Sequence, residues 1–272
     1  MLTGIQDLAK QQLNDYDRHQ PGGLFAGYPI PMSVDEAYAL QMEVARLRSE
    51  RGEPVVGYKI GCISAVMQAQ LGLDRPVFGH VFGTELYCSG EVLNAGDFDR
   101  LAIEGEFAVR IAEDFADVRD LRDHPERVIS SGFAVIELHN YVFRNAPHNA
   151  QELIGNNAIH AGVVLPAAEQ ALRDPSALLD ASIRVSRNGE LLGSATGRAL
   201  PEGPFGGVLR LAEHLAKCGR SLRRGDLVLT GSPLPLYRVA NGDRIEVNSD
   251  ISPAVTVIVS KRVSGALPAA EG

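Results

Sequence analysis

Several features by which protein classes are commonly recognised are missing from this sequence of 272 residues. It has no tryptophan, and its three cysteines, Cys62, Cys88 and Cys218, are too far apart to form a metal-binding or redox pair. An odd number of isolated cysteines is typical of a reducing compartment, so we expect a cytoplasmic protein. No stretch approaches the roughly 20 apolar residues of a membrane span. The polar, amphipathic N-terminal segment is not typical of a secretory signal.

Positive charge and the common catalytic motifs are also scarce. The 26 lysines and arginines are outnumbered by 34 aspartates and glutamates, which gives a net charge of −8 at pH 7. This charge argues against nucleic acid or an anionic membrane as the main partner. The sequence has no phosphate-binding P-loop, no glycine-rich dinucleotide motif after a strand, and no metalloprotease or serine-hydrolase motif. Hydrophobic residues make up 45% of the chain, which is enough for a sizeable core.

The first quarter of the chain, residues 1–71, has the pattern of a helical region. Ser33 and Glu36 have the spacing of a capping box, which predicts a helix that begins directly after Ser33. The segment VVGYKIG, residues 55–61, then has the composition of a short buried strand.

The rest of the chain, residues 72–264, is dominated by short strand-like runs. Asn188 and Gly189 stand between two alternating runs, which is a strong signal for a hairpin turn. One late helix ends at Gly219, and residues 265–272 are predicted to be a disordered tail. Strands and helices do not alternate as they do in a doubly wound sheet. We therefore predict an α+β fold, mainly β, in which a β-rich catalytic domain follows the helical N-terminal region.

Two carboxylates share one face of a predicted strand in residues 101–111, LAIEGEFAVRI. The odd positions are apolar except for Gly105, so the period of two places Glu104 and Glu106 together on the other face. Like charges side by side repel and desolvate poorly, and a cation between them would remove that cost. The alternative is a solvated outer face, the usual fate of charges on a half-exposed strand. The strand alone leaves these two interpretations even.

A third carboxylate and a lysine occur in segments that have the composition of buried strands. Glu137 is the only acid in GFAVIELHNYVF, residues 132–143, where an ionised side chain is costly without a partner. With Glu104 and Glu106 it would form an all-oxygen site suited to Mg²⁺ or Mn²⁺. The alternative is a structural salt bridge between Glu137 and an arginine. Lys59 lies in PVVGYKIG and is interpreted either as an anchor for a substrate carboxylate or as a side chain that reaches the surface.

Seven histidines are scattered through the chain. His80, His139 and His160 fall in the β-rich part near the candidate acids, but the sequence does not show whether they converge. An isolated histidine is more often a core or surface residue than a ligand.

Taken in order, several segments resemble the 2-keto-4-pentenoate hydratases of the fumarylacetoacetate hydrolase superfamily. The resemblance covers nearly the whole chain and is carried by VVGYKIGCISAVMQAQLGLDRPVFGHVF, IEGEFAVRI, VIELHNYVFR, NNAIHAGVVLP and GRSLRRGDLVLTGSPLPLYRVANGDRIEV. It implies a mixed β-roll with a helical N-terminal segment, a divalent metal ion and a homo-oligomer. It also implies that Glu104, Glu106 and Glu137 are the metal ligands and that Lys59 anchors the substrate.

Two positions depart from the hydratase pattern. Hydratases usually read P-D-F-G where this chain has Val77 in place of the acid, and D-N-A-S where this chain has N-N-A-I ending at Ile159. An acid that could move protons and a pocket hydroxyl are therefore missing. His80 and His160 are the candidates for the acid–base role.

The resemblance implies a metal-dependent lyase that acts on a small 2-keto or 2-hydroxydienoic acid in aromatic-compound catabolism, with hydration as the default reaction. Mg²⁺ or Mn²⁺ would stabilise the enolate as its charge develops. Three alternatives stay open: decarboxylation or tautomerisation of a related 2-keto acid, carbon–carbon cleavage of an acylpyruvate, and a non-catalytic homologue or partner subunit. The three acids argue against the last, since a site without function has no reason to bear their burial cost.

Overall fold

The computed structural model describes residues 4–26, 30–115, 117–143, 149–172 and 174–260. The α-helices in these ranges are α1 Ile5–Asp17, α2 Val34–Glu50, α3 Ala65–Leu71, α4 Val118–Asp123, α5 Pro125–Val128, α6 Ala150–Gly155, α7 Ala177–Asp180 and α8 Gly203–Lys217. The strands are β1 Val55–Gly61, β2 Val77–Phe82, β3 Leu86–Cys88, β4 Val92–Asn94, β5 Ala102–Ile111, β6 Ile129–His139, β7 His160–Leu165, β8 Ser182–Arg187, β9 Glu190–Thr196, β10 Leu227–Leu229, β11 Tyr237–Arg238, β12 Arg244–Ser249 and β13 Val255–Ser260.

The helices near the N-terminus pack together and are attached to the larger sheet. Helix α2 begins after Ser33, and the predicted capping box is present: the Glu36 N–H donates to the Ser33 hydroxyl, and the Ser33 N–H donates to the Glu36 carboxylate. Helix α1 packs along α2. The buried side-chain amide of Gln41 in α2 donates to the Phe78 carbonyl oxygen in β2 at 2.8 Å, which holds this helix against the sheet.

The larger sheet has the strand order β2-β1-β10-β5-β6-β7-β3, and β11 pairs with the start of β5. Strands β1 and β10 are parallel, as are β3 and β7, and the other neighbours are antiparallel. Strand β2 also lies close to β7, so the sheet curls towards a closed roll. Strand β1 coincides with the buried strand predicted for residues 55–61 and is an inner strand of this sheet.

The smaller sheet has the order β4-β13-β12-β8-β9 and packs behind β5. The predicted turn between β8 and β9 is present, with positive φ at both Asn188 and Gly189. At Gly105 in β5, a Cβ atom would lie 2.5 Å from Val185 Cγ2 and 3.3 Å from Val247 Cγ2 of the smaller sheet. The glycine between the two acids is therefore needed for the sheets to approach each other.

Two sheets with helices packed around them confirm the predicted α+β fold with a helical N-terminal region. The division of the chain at residue 71 stays a prediction, and the tail, residues 265–272, lies outside the described residues. Across the described ranges, none of the helices has the length and apolar character needed to cross a membrane.

Candidate metal centre and active site

Two of the predicted acids face each other across neighbouring strands. Glu104 in β5 is directly opposite Glu137 in β6 in the antiparallel register. Directly opposite side chains in such a pair have Cβ atoms about 4.5–5.5 Å apart. Glu137 is fully buried, and the Glu104 side chain is 21% exposed. The register therefore brings the two carboxylates together at the inner face of the curled sheet.

Glu137 is surrounded by cationic or potentially cationic groups. Its Oε1 lies 3.2 Å from Lys59 Nζ and 2.7 Å from His160 Nδ1, the latter in hydrogen-bond geometry. Burial alone would raise the pKa of Glu137, but Lys59, His139 and His160 outweigh it and hold this pKa below its usual range. The other oxygen, Oε2, has no hydrogen-bond partner among the described residues. A buried carboxylate oxygen that lacks a donor is a suitable ligand for a cation.

Lys59 is buried in β1, with a relative exposure of 3%, so its side chain does not reach the surface. Burial would lower the pKa of Lys59, but the charges of Glu137, Glu106 and Glu104 raise it. The lysine stays protonated, and its partner is an acid of the site. Glu137 therefore forms a salt bridge, as the alternative interpretation had it, but with a lysine rather than an arginine.

Glu106 lies next to this pair and is 1% exposed. Its Oε2 accepts a hydrogen bond from the Gly231 N–H at 3.2 Å. Burial, and then the charges of Glu137 and Glu104, raise the pKa of Glu106 above its usual range. Three carboxylates, those of Glu104, Glu106 and Glu137, thus act on the single ammonium group of Lys59.

His139 is the residue that sequence reasoning did not assign to the site. Its Nε2 lies 3.1 Å from Glu104 Oε2 and 3.6 Å from Glu137 Oε2, and one potential ligand atom from each of these three residues lies within 4.8 Å of the other two. The sequence did indicate that His139 lies near Glu137, because the two residues are two positions apart on one strand and so share a face.

The cluster opens into a pocket of about 440 Å³. Lys59, Glu104 and His139 line its polar end. Most of its wall is apolar, and the larger apolar side chains are Ile63, Met67, Leu71, Val77, Phe143, Leu153, Ile159, Leu234 and Leu236. Both positions that depart from the hydratase pattern, Val77 and Ile159, therefore face the space beside the acids.

The family model described as fumarylacetoacetate (FAA) hydrolase C-terminal matches residues 68–259. The chain belongs to the fumarylacetoacetate hydrolase family. It is 32% identical over 218 residues to 2-keto-4-pentenoate hydratase 1 of Dechloromonas aromatica (strain RCB), covering 79% of this chain and 82% of that protein. The resemblance predicted from the sequence is thus confirmed.

Two solved structures share the fold. The 4-oxalocrotonate decarboxylase from Pseudomonas putida G7, complexed with magnesium and adipate, superposes with a TM-score of 0.84 at 23% identity, covering 94% of this chain and 97% of that one. The fumarylpyruvate hydrolase from Pseudomonas aeruginosa, in complex with Mn²⁺ and pyruvate, gives a TM-score of 0.58 at 18% identity, covering 77% and 91%. These similarities confirm the predicted fumarylacetoacetate hydrolase-like fold.

Two of the predicted site histidines are not part of the polar end of the pocket. His80 is opposite Tyr58 in the β1–β2 register, whereas Lys59 is opposite Gly79. Neighbouring positions of a strand face opposite sides, so His80 points away from Lys59 and lies among Tyr58 and other residues on the far side of the sheet. Burial lowers the pKa of His80 to about 4. The structure therefore does not bring His80 to the site.

His160 lies behind Glu137 rather than in front of it. Its Nδ1 contacts Glu137 Oε1, and its ring lines a separate small cavity with Gln12 and Tyr16 of helix α1. This placement lets His160 orient Glu137, but it does not bring the imidazole to the pocket in which a substrate would lie.

The oxygen ligands that this site offers fit a divalent cation. Glu104, Glu106 and Glu137 face one ammonium group, Lys59, so a cation would balance the excess negative charge. The donorless Glu137 Oε2 and the nearby Glu104 Oε2 are the oxygen ligands that Mg²⁺ and Mn²⁺ accept.

Proposed function

We propose that this protein is a divalent-metal-dependent lyase that adds water to a small 2-hydroxydienoic acid, as in 2-keto-4-pentenoate hydratases. The observation that carries the proposal is the placement of Lys59 beside the facing carboxylates of Glu104 and Glu137, at the polar end of a mostly apolar pocket. Such a pocket matches a substrate with a carboxylate at one end and a short hydrocarbon chain at the other. The similarity to a 2-keto-4-pentenoate hydratase supports the same substrate class.

Glu104, Glu106 and Glu137 are the proposed metal ligands. When bound, the cation supplies Lewis-acid stabilisation of the negative charge that develops on the substrate's 2-oxygen. Lys59 has three N–H donors, and the pairing with Glu137 leaves others for the substrate carboxylate. His160 holds Glu137 in place from behind. The apolar wall of the pocket would contact the hydrocarbon part of the substrate.

A second reaction, decarboxylation or tautomerisation of a related 2-keto acid, is favoured by one specific observation. Val77 and Ile159 both line the pocket, so the acid and the hydroxyl of the usual hydratase pattern are absent where protons would be moved. General acid–base assistance is worth roughly 10²–10⁴-fold. Its loss slows hydration more than reactions that need only a stabilised enolate. The homo-oligomer, the choice between Mg²⁺ and Mn²⁺, and the cytoplasmic location stay predictions.

The test is an assay of the metal-stripped protein with 2-hydroxypenta-2,4-dienoate, before and after Mg²⁺ or Mn²⁺ is added. Loss of dienol absorbance is followed together with product identity by NMR. We expect metal-dependent water addition that is lost in Glu137→Gln. The matched control is Glu246→Gln, the same chemical change on β12 of the smaller sheet, and it should retain activity.

Water addition that is unaffected by chelation or by Glu137→Gln would contradict the proposed metal-dependent hydration. If the NMR spectra show that 2-hydroxypenta-2,4-dienoate is only tautomerised and takes up no water, hydration is wrong and the second reaction replaces it.

A further inference from the structure

His139 is a buried imidazole with no hydrogen-bond partner on either ring nitrogen among the described residues. It is 1% exposed, so solvent does not substitute for a protein partner. An unpaired buried polar group is costly. Nε2 faces the carboxylates of Glu104 and Glu137, and the ring lines the pocket, so a cation that enters the pocket can reach all three groups.

The backbone around His139 fixes the direction of the ring. The β6–β7 register shifts between Leu138 and His139, and such bulges commonly re-aim a side chain beside a functional site. Immediately after it, the Asn140 N–H donates to the Ile159 carbonyl and the Tyr141 N–H donates to the Asp99 carbonyl, both at 3.0 Å. The imidazole is thus presented to Glu104 and Glu137 from a well-anchored segment.

The distances match those between neighbouring ligands of one cation. Ligand bonds of about 2.1 Å place adjacent atoms of an octahedral site about 3 Å apart, and His139 Nε2 lies 3.1 Å and 3.6 Å from its two carboxylate oxygens. The other explanation is a direct hydrogen bond to Glu104. His139 Nε2 and Glu104 Oε2 are close enough for a hydrogen bond, but their geometry does not form one.

We propose that His139 Nε2 is a direct ligand of the divalent cation, together with Glu104 and Glu137, and that the site consequently prefers Mn²⁺ to Mg²⁺. Mg²⁺ prefers oxygen ligands in near-ideal octahedral geometry, whereas imidazole nitrogen suits transition-metal ions better. This inference deepens the proposed function and rests on it, since it assumes that the cation binds between Glu104 and Glu137.

The direct test is electron spin-echo spectroscopy of the full-length, metal-stripped protein reloaded with Mn²⁺. Protein labelled with ¹⁵N only in histidine distinguishes an imidazole nitrogen from the nitrogen of Lys59. We expect a histidine ¹⁵N coupling to Mn²⁺ in the wild type. The coupling should disappear in His139→Gln and persist in His80→Gln, a matched control in which another buried histidine on the opposite face is changed.

Calorimetry with Mn²⁺ and Mg²⁺ provides a second readout. Loss of an outer-shell partner already costs about 10–100-fold in metal affinity, so His139→Gln should weaken Mn²⁺ binding at least about tenfold. Mg²⁺ affinity should fall less, because glutamine offers an amide oxygen in place of the nitrogen. The Mn²⁺ preference of the wild type should therefore shrink.

Mn²⁺ bound without a histidine coupling in the wild type would overturn the inference and leave the proposed metal-dependent function intact. A coupling that persists in His139→Gln would assign the nitrogen to another histidine and would also overturn it. Failure to bind either cation would overturn both the inference and the proposed function. The wild-type spectrum needs no variant, so the inference stays testable if His139→Gln does not fold.

Discussion

Replacing Lys59 with methionine should destabilise the metal-free protein. Methionine keeps most of the side-chain volume but leaves Glu137 without its nearest ammonium group, 3.2 Å away. Removing one partner of a buried ion pair costs about 3–5 kcal/mol. We expect the lower end, about 3 kcal/mol, because the imidazoles of His139 and His160 still lie beside Glu137.

The expected loss of stability is large enough to be measured in a melting experiment. For a chain of this size, 1 kcal/mol corresponds to roughly 2–4 °C in Tm, so Lys59→Met should melt roughly 10 °C lower in a chelating buffer. The pKa of Glu137 is lowered in the folded state. Stabilisation by the pair is therefore present above the ordinary glutamate pKa of 4.5 and is lost as the pH falls below it towards the lowered value. The Tm difference should accordingly be full at pH 7 and shrink in acid.

Calorimetric melting of four proteins isolates the contribution of the Lys59–Glu137 pair to stability: wild type, Lys59→Met, Glu137→Gln and the double variant. The double variant should recover part of the loss in Lys59→Met, because the carboxylate that Lys59 contacts is then uncharged. Lys10→Met, on the exposed face of α1, is the matched control and should melt like the wild type. An unchanged Tm for Lys59→Met in chelator, or a double variant no more stable than Lys59→Met, would refute the reasoning.

Three further predictions concern the pocket. Val77→Asp places a carboxyl group in the wall and should raise hydration of 2-hydroxypentadienoate by about 10²-fold or more, measured by dienol absorbance; an unchanged rate would show that another group already moves the proton. Gly61→Ala adds a Cβ 3.2 Å from Lys59 Nζ, which should displace the ammonium group and weaken oxalate binding about tenfold. Equal oxalate affinities of the variant and the wild type in calorimetry would contradict the anchoring role of Lys59. Burial raises the pKa of Cys62 to about 11, so iodoacetamide at pH 8 should modify Cys62 more slowly than the exposed Cys88. The rate at Cys62 should rise as the pH approaches 11. Equal rates for the two cysteines in peptide mass spectrometry would show that the Cys62 thiol is not shielded.

The shared face of Glu104 and Glu106 could be predicted from the sequence because a strand has a fixed period of two. That period places Glu104 and Glu106 on one face whatever the rest of the chain does. The role of Gly105 could not be read in the same way, since it depends on Val185 and Val247 from a sheet formed by later residues. Local pattern decides which side chains share a face, whereas only the folded chain shows what lies opposite that face.

The placement of the histidines relative to the site could not be predicted from the sequence. His80, His139 and His160 are all buried, and composition does not distinguish them. The β1–β2 register turns His80 away from Lys59, and the β6–β7 register places His160 behind Glu137. Lys59 joins the acids only because β10, from near the end of the chain, lies between β1 and β5. These long-range pairings are not contained in any local pattern.

The most direct test of the central claim is anomalous diffraction from crystals grown with Mn²⁺ and oxalate. The account predicts one strong anomalous peak in the pocket, about 2.1 Å from carboxylate oxygens of Glu104, Glu106 and Glu137, with an oxalate carboxylate group in contact with Lys59 Nζ. A peak at another place on the protein, or none at saturating Mn²⁺, would contradict the assignment of this site as a metal-dependent keto-acid centre.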